Sequence, residues 1–286
     1  MNNDKLQISE KNYERYKKLI QEFVLLDDTF MRKVFEDVKC SELVLKIIME
    51  KDDLQITQLK IQADMKNLQG RSIIMDVLAK DKQGTIYNIE VQRENSGATP
   101  KRARYHSGLL DMNILEPSES IENLPKTYVI FITENDVLKG NLPIYHIQRT
   151  IKELGNTEFN DNSHIIYVNS SIQDDSKLGR LMHDFRCKEV EEIYYKELKE
   201  RIWYYKKDEE GARDMCRISE MLREEGRLEG MAEGRLEGEE KGIQNIIEVY
   251  RNELFLDKEE IVSRIKAKFD LTYDNAQSYV DRFYKK

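Results

Sequence analysis

Cysteine is scarce in this chain, with Cys40, Cys187 and Cys216 the three among 286 residues. They are far apart, odd in number and without Cys-x-x-Cys spacing, which argues against a disulfide framework and leaves no zinc site visible in the sequence. An excess of positive charge is also missing. The 46 Lys and Arg stand against 54 Asp and Glu, a net charge of -8 with a pI near 5.3. Broad, nonspecific attraction to nucleic acid rests on neutralising phosphates, and this balance argues against it. Long apolar runs are absent too. The opening Met1-Asn2-Asn3-Asp4-Lys5 has no apolar signal core, and no later run approaches a membrane span. A soluble, cytoplasmic protein with no membrane partner is expected.

What is present suffices for one substantial core and a small appendage, since 40% of the residues are hydrophobic. Tyr13, Tyr16, Leu19, Ile20 and Phe23 recur at helical spacing over residues 9–26. Asp27-Asp28-Thr29 can cap a helix carrying Phe30, Val34 and Phe35, and Ser41 a further one through residue 50. A strand is expected within Leu54–Gln62. Thr99-Pro100 offers an N-cap followed by Pro at the first helical position, launching a helix to about Ile114 with a basic first turn. The runs Lys126–Ile132 and His164–Val168 read as central strands covered on both faces, with an edge strand at 143–147. From Asp175 to Tyr205 the pattern is helical. Gly226, Gly230, Gly234, Gly238 and Gly242 then recur every four residues in a tract that reads as a charged helical connector, with a self-association helix as the sharper alternative. Asp257 and Thr272 can cap two short amphipathic helices carrying Ile261, Ile265, Phe269, Val280 and Phe283.

The chemistry concentrates at residues 73–92, which read as two apolar strands with acids embedded in them. If Lys82-Gln83-Gly84 is a three-residue loop with Gly84 in the left-handed position, Asp81 pairs with Thr85 and Asp76 falls opposite Glu90. The two-residue period of a strand sends Asn88, Glu90 and Gln92 to one side. Carboxylate and amide oxygens suit a hard divalent cation, Mg²⁺ or Mn²⁺, and imply metal-assisted phosphodiester hydrolysis. The bland alternative is a strand pair with one face in solvent.

This constellation resembles the PD-(D/E)XK nuclease superfamily, in which an Asp on one strand and a Glu-x-Lys on the next hold metal and attacking water. Here the triplet is Glu90-Val91-Gln92. That form, with Asp27-Asp28-Thr29-Phe30 and Val34-Phe35, Asn67-Leu68-Gln69-Gly70-Arg71-Ser72, Lys101-Arg102-Ala103-Arg104-Tyr105 and Leu181-Met182-His183-Asp184-Phe185, resembles the recombination-promoting nuclease (Rpn) branch, also called PD-(D/E)XK nuclease family transposases. The likeness runs from about residue 20 to the Gly/Glu-rich tail.

The resemblance implies an α/β, restriction-endonuclease-like core with a central mixed β-sheet flanked by helices, plus a C-terminal helical arm. The corresponding divisions are a nuclease-like domain at 1–205, a Gly/Glu/Arg-rich connector at 206–245 and a small helical segment at 246–286. It implies a metal-dependent DNA endonuclease associated with recombination or mobile elements, with Asp76 and Glu90 as metal ligands. Gln92 can orient water, although an amide cannot supply the positive charge of the missing Lys. Lys101, Arg102 and Arg104 would hold DNA phosphates; the alternative is a solvated helix start. Asp28 or Glu42 is a candidate to complete the metal shell, and Tyr105 reads as core or hydrogen-bond support. His106, His146, His164 and His183 lack the spacing of a metal site and read as structural. The competing reading is a catalytically weak nuclease-fold protein that binds nucleic acid or a protein partner. A homodimer through the glycine-bearing arm is the further partner to test.

Overall fold

A left-handed glycine sets the register on which the fold is built. Gly84 has φ of 84° and ends the loop between β2 (Ile73–Asp81) and β3 (Ile86–Gln92). The Gly84 N–H donates to the Asp81 carbonyl at 3.1 Å, and the Asp81 N–H to the Thr85 carbonyl at 3.0 Å. The Asp81 carboxylate locks this corner by accepting from the Thr85 N–H and the buried Tyr87 hydroxyl, each at 2.8 Å. From there the strands pair antiparallel from Lys80 with Ile86 to Val77 with Ile89, the register expected from a three-residue loop.

The computed structural model describes residues 10–67, 70–116 and 118–284. The Met1–Lys5 opening and Leu68-Gln69 lie outside the described residues. Strand β1 (Ile56–Met65) pairs antiparallel with β2. On the other side, β3 runs parallel to β4 (Thr127–Thr133), which runs parallel to β8 (Ser163–Asn169). An edge strand β5 (Ile144–Ile147) closes the order β1-β2-β3-β4-β8-β5, antiparallel to β8. Two short strands, β6 (Thr150–Ile151) and β7 (Thr157–Glu158), pair with each other. Every residue of β4 is buried, as its unbroken apolar run requires of a strand covered on both faces.

Helices α1 (Glu10–Gln21), α2 (Asp28–Phe35) and α3 (Val38–Ile48) precede the sheet. The N-terminal expectations need two corrections. Ser41 lies inside α3 rather than capping it, and its hydroxyl donates to the Phe35 carbonyl at 2.8 Å; Asp37 takes the cap by accepting from the Lys39 N–H. Asp27 occupies the cap position of α2, but its carboxylate accepts from the Val24 N–H and pairs with Arg93 instead.

Helix α4 (Pro100–Ile114) follows β3, with the Thr99 hydroxyl accepting from the Arg102 N–H. Its Ala103, Leu109 and Leu110 pack with Val129, Phe131 and Tyr167 of the sheet. Helices α5 (Lys177–Arg186) and α6 (Lys196–Lys206) come next. Helix α2 contacts β1 and β2, whereas α3 contacts β1, α5 and α6.

The chain forms two compact units, Met1–Arg217 and Ile218–Lys286. Helix α7 (Glu209–Asn252) begins in the first, where Ala212, Met215 and Cys216 are buried. In the second, Ile243 and Ile247 of α7 form a small core with α8 (Lys258–Phe269) and α9 (Tyr273–Phe283), whose caps are Asp257 and Thr272. Among the described residues no helix is long and apolar enough to cross a membrane.

Candidate functional site

Parallel strands gather ligand sites at their carboxyl ends, and here Gln92 at the end of β3 lies beside Thr133 at the end of β4. A cleft of about 450 Å³ opens there. Its lining includes Asp28, Arg32, Asp76, Glu90, Gln92 and Arg102.

Asp76 and Glu90 meet across the hairpin as its register requires. The Asp76 N–H lies 3.4 Å from Glu90 Oε1, and Asp76 Oδ2 accepts from the Val91 N–H at 3.2 Å. The ladder between the two strands ends one step earlier, at Val77 and Ile89, so the Asp76 side chain takes a backbone donor that a longer ladder would have used. Both carboxylates are nearly removed from solvent, with 6% of Asp76 and 1% of Glu90 exposed. Burial first, then the like charges of Glu90 and Asp28, push the Asp76 carboxyl up to about 7, against the Val91 N–H and Arg32. Desolvation also raises Asp28 above its ordinary value, opposed by Arg32 and reinforced by Glu90.

Two residues not singled out as functional by sequence complete the cluster. Arg32, one helical turn after Asp28 on α2, reaches Asp28 at 2.8 Å and Asp76 at 3.5 Å. His106, expected to be structural, is fully buried on α4 with Nδ1 3.4 Å from Glu90 Oε1. That approach lacks hydrogen-bond geometry, so neither His106 ring nitrogen has a hydrogen-bond partner among the described residues. The (i, i+4) spacing of Asp28 and Arg32 was visible in the sequence; that α2 would carry both to the hairpin depends on tertiary packing.

The remaining candidates separate. Gln92 lines the cleft, its amide resting against Gly97, where an added Cβ would lie 2.0 Å from Gln92 Oε1. Arg102 lines the cleft with its Nε buried and without a hydrogen-bond partner among the described residues, while Lys101 and Arg104 are exposed outside the lining. Glu42 does not complete this cluster. Its oxygens are taken by Lys46 at 2.8 Å and the Ile56 N–H at 3.0 Å, which fixes it at the start of β1. Tyr105 is hydrogen-bond support: its hydroxyl donates to the Arg71 carbonyl and accepts from Asn67 at 3.2 Å. His164 stacks on Tyr128 with ring centroids 4.8 Å apart, and His146 is exposed on β5.

A mixed sheet with two acids at the open end of an antiparallel pair defines a nuclease-like α/β class. The family model that matches is that of the PD-(D/E)XK nuclease family transposases, over residues 42–177, so this segment is a domain of that family. The match includes Asp76, Glu90, Gln92 and Arg102 but not Asp28 or Arg32. No curated protein and no solved structure matches the chain.

Proposed function

We propose that the protein is a metal-dependent endonuclease that hydrolyses phosphodiester bonds in DNA, acting in recombination or on mobile elements. The observation that carries this reading is the buried meeting of Asp76 and Glu90 with Asp28 in the same cleft. Burial first, and then their mutual like charge, raises the Asp76 and Asp28 carboxyls above their ordinary values. A hard divalent cation would relieve that repulsion, and an all-oxygen donor set fits Mg²⁺ or Mn²⁺.

Asp76 and Glu90 would hold the ion, with Asp28 adjoining them. When bound, it would supply Lewis-acid stabilisation of phosphoryl charge and a more acidic water. The chain's own groups do the rest. Gln92 can orient the attacking water through its amide. Arg32 carries a guanidinium to the carboxylates and offers the charge that Gln92 lacks; its Nε is buried without an acceptor among the described residues, as is that of Arg102. Unpartnered buried donors in a cleft suit a phosphate. Lys101 and Arg104, exposed near the start of α4, would add contacts to the backbone without reading bases.

Incubation of supercoiled plasmid with the full chain tests this directly. Nicking that requires Mg²⁺ or Mn²⁺ and falls to background in both Asp76→Ala and Glu90→Gln is the expected result. Activity that survives both substitutions would place it outside this cleft or in a contaminant. Metal-independent DNA binding without cleavage would favour the catalytically weak binder, a reading supported by Gln92 at the position of the missing Lys.

A further inference from the structure

Away from the cleft and beyond the residues matched by the family model, the last turn of α5 and the segment after it bring together a donor set of different chemistry. His183 and Cys187 are separated by one helical turn, with Cys187 at the helix C-cap. The chain then turns back through the short 3-10 helix Val190–Glu192, which returns Glu192 to the same spot. One ligand atom from each of His183, Cys187 and Glu192 falls within 4.8 Å of the others. We propose that these three side chains form a second metal site, for zinc.

The donor types decide the ion. A thiolate and an imidazole are poor ligands for Mg²⁺, which takes oxygen, whereas sulfur, nitrogen and carboxylate oxygen together suit Zn²⁺. Tetrahedral ligands at zinc bond lengths sit roughly 3.3–3.8 Å apart, so side-chain rotations of about 1 Å close the triad and a water can take the fourth position. Cys187 Sγ already lies 3.9 Å from Glu192 Oε2 and 3.2 Å from the Glu189 carbonyl. Zinc would replace the thiol proton, which leaves to solvent.

The surroundings hold these groups in place. His183 Nδ1 lies 3.3 Å from Asp184 Oδ1. The tautomer that donates there leaves the Nε2 lone pair for a metal, the carboxylate-histidine arrangement that orients and strengthens such ligands. Asp184 is itself fixed by the Tyr194 and Tyr195 N–H groups, both at 2.9 Å, and these follow Glu192 closely in the chain. The same carboxylate thus anchors both ends of the ligand-bearing turn. Glu192 is exposed and His183 part-exposed, which gives an ion a path from solvent. Bound zinc would clip the end of α5 to the segment that starts α6.

Cobalt(II) titration of the chelator-treated full chain tests the site, because a cobalt-bound thiolate shows a near-ultraviolet charge-transfer band that carboxylates cannot give. The expected result is a band that saturates at one equivalent, is displaced by zinc, persists in excess Mg²⁺ and in Asp76→Ala, and disappears in Cys187→Ser. Glu192→Gln, at an exposed position that leaves folding intact, should weaken cobalt binding about tenfold or more. Circular dichroism confirms that each variant is folded. The absence of a band in the folded wild type, its survival in Cys187→Ser, or its loss in Asp76→Ala overturns the proposal.

Discussion

Asp76 carries conflicting demands. It is buried among other acids, accepts a backbone N–H and touches a guanidinium, and the net result is a carboxyl held up to about 7. A carboxyl raised in the fold contributes stability that is fully present below its unfolded value, near 3.8, and is lost as pH rises to about 7. Metal-free protein should therefore melt at progressively lower temperature across that window. Added Mg²⁺ should remove most of the slope. Asp76→Asn should flatten it without metal and leave the variant more stable than wild type near about pH 8, by on the order of a few kcal/mol; a steeper slope in the variant would contradict this assignment. Gln92 offers a second test. Its amide occupies the space where a Cβ on Gly97 would sit, and the end of a flexible side chain can swing away cheaply. Gly97→Ala should leave thermal stability within about 0.5 kcal/mol of wild type while cutting nicking by up to about 10²-fold. Unchanged nicking would deny Gln92 a role in orienting water.

The hairpin is the element on which the site depends, and it was also the most legible in sequence. Its two-residue alternation, its acid positions and Gly84 together determine a register, and that register brings Asp76 to Glu90. The start of α4 was legible for a similar local reason, since a Thr-Pro cap acts over a single turn. Less legible were features in which a side chain had a choice of partners. Ser41 could have capped a helix but bonds back to Phe35, and Asp27 left its capping role to bind Val24 and Arg93. Arg32 and His106 reach the acids because α2 and α4 dock where they do, and long-range packing leaves little trace in a local pattern. Asp81 tests the hairpin separately from the chemistry. Asp81→Ala removes the acceptor of two buried donors, the Thr85 N–H and the Tyr87 hydroxyl, at a cost of about 1–3 kcal/mol for each. The unfolding midpoint should drop accordingly. Nicking should fall with it even at temperatures where the variant stays folded, because a loosened corner frees the register; a stable variant with full activity would show that the corner does not set the site.

At the scale of the whole molecule, the question is what the chain needs beyond its sheet domain. The compact unit runs to Arg217, and the first turns of α7 belong to its packing. Ala212, Met215 and Cys216 are buried, and the Cys216 thiol points to the Tyr13 carbonyl at 3.9 Å. Beyond that point the glycines tell a different story. A Cβ at Gly226, Gly230, Gly234, Gly238 or Gly242 would meet nothing within 4 Å among the described residues, so close packing within this chain does not account for them. Each costs about 1 kcal/mol relative to Ala in a helix interior. Residues 1–217 should therefore unfold in one cooperative transition near the midpoint of the full chain and retain Mg²⁺-dependent nicking, because the cleft residues all lie within them. Cutting instead after Tyr205 should lower the midpoint, since it uncovers Tyr13 and removes four buried side chains, Lys206, Ala212, Met215 and Cys216. Light scattering on the same truncations addresses the glycine stripe. If the segment is a tether, the full chain and residues 1–217 have the same number of subunits. A full-length dimer that becomes monomeric on truncation would instead make the stripe a seam between two copies, where small residues let helix backbones approach. Changing Gly230 and Gly234 to Ala then separates the two cases: a tether gains helix stability and keeps its mass, whereas a seam loses its partner.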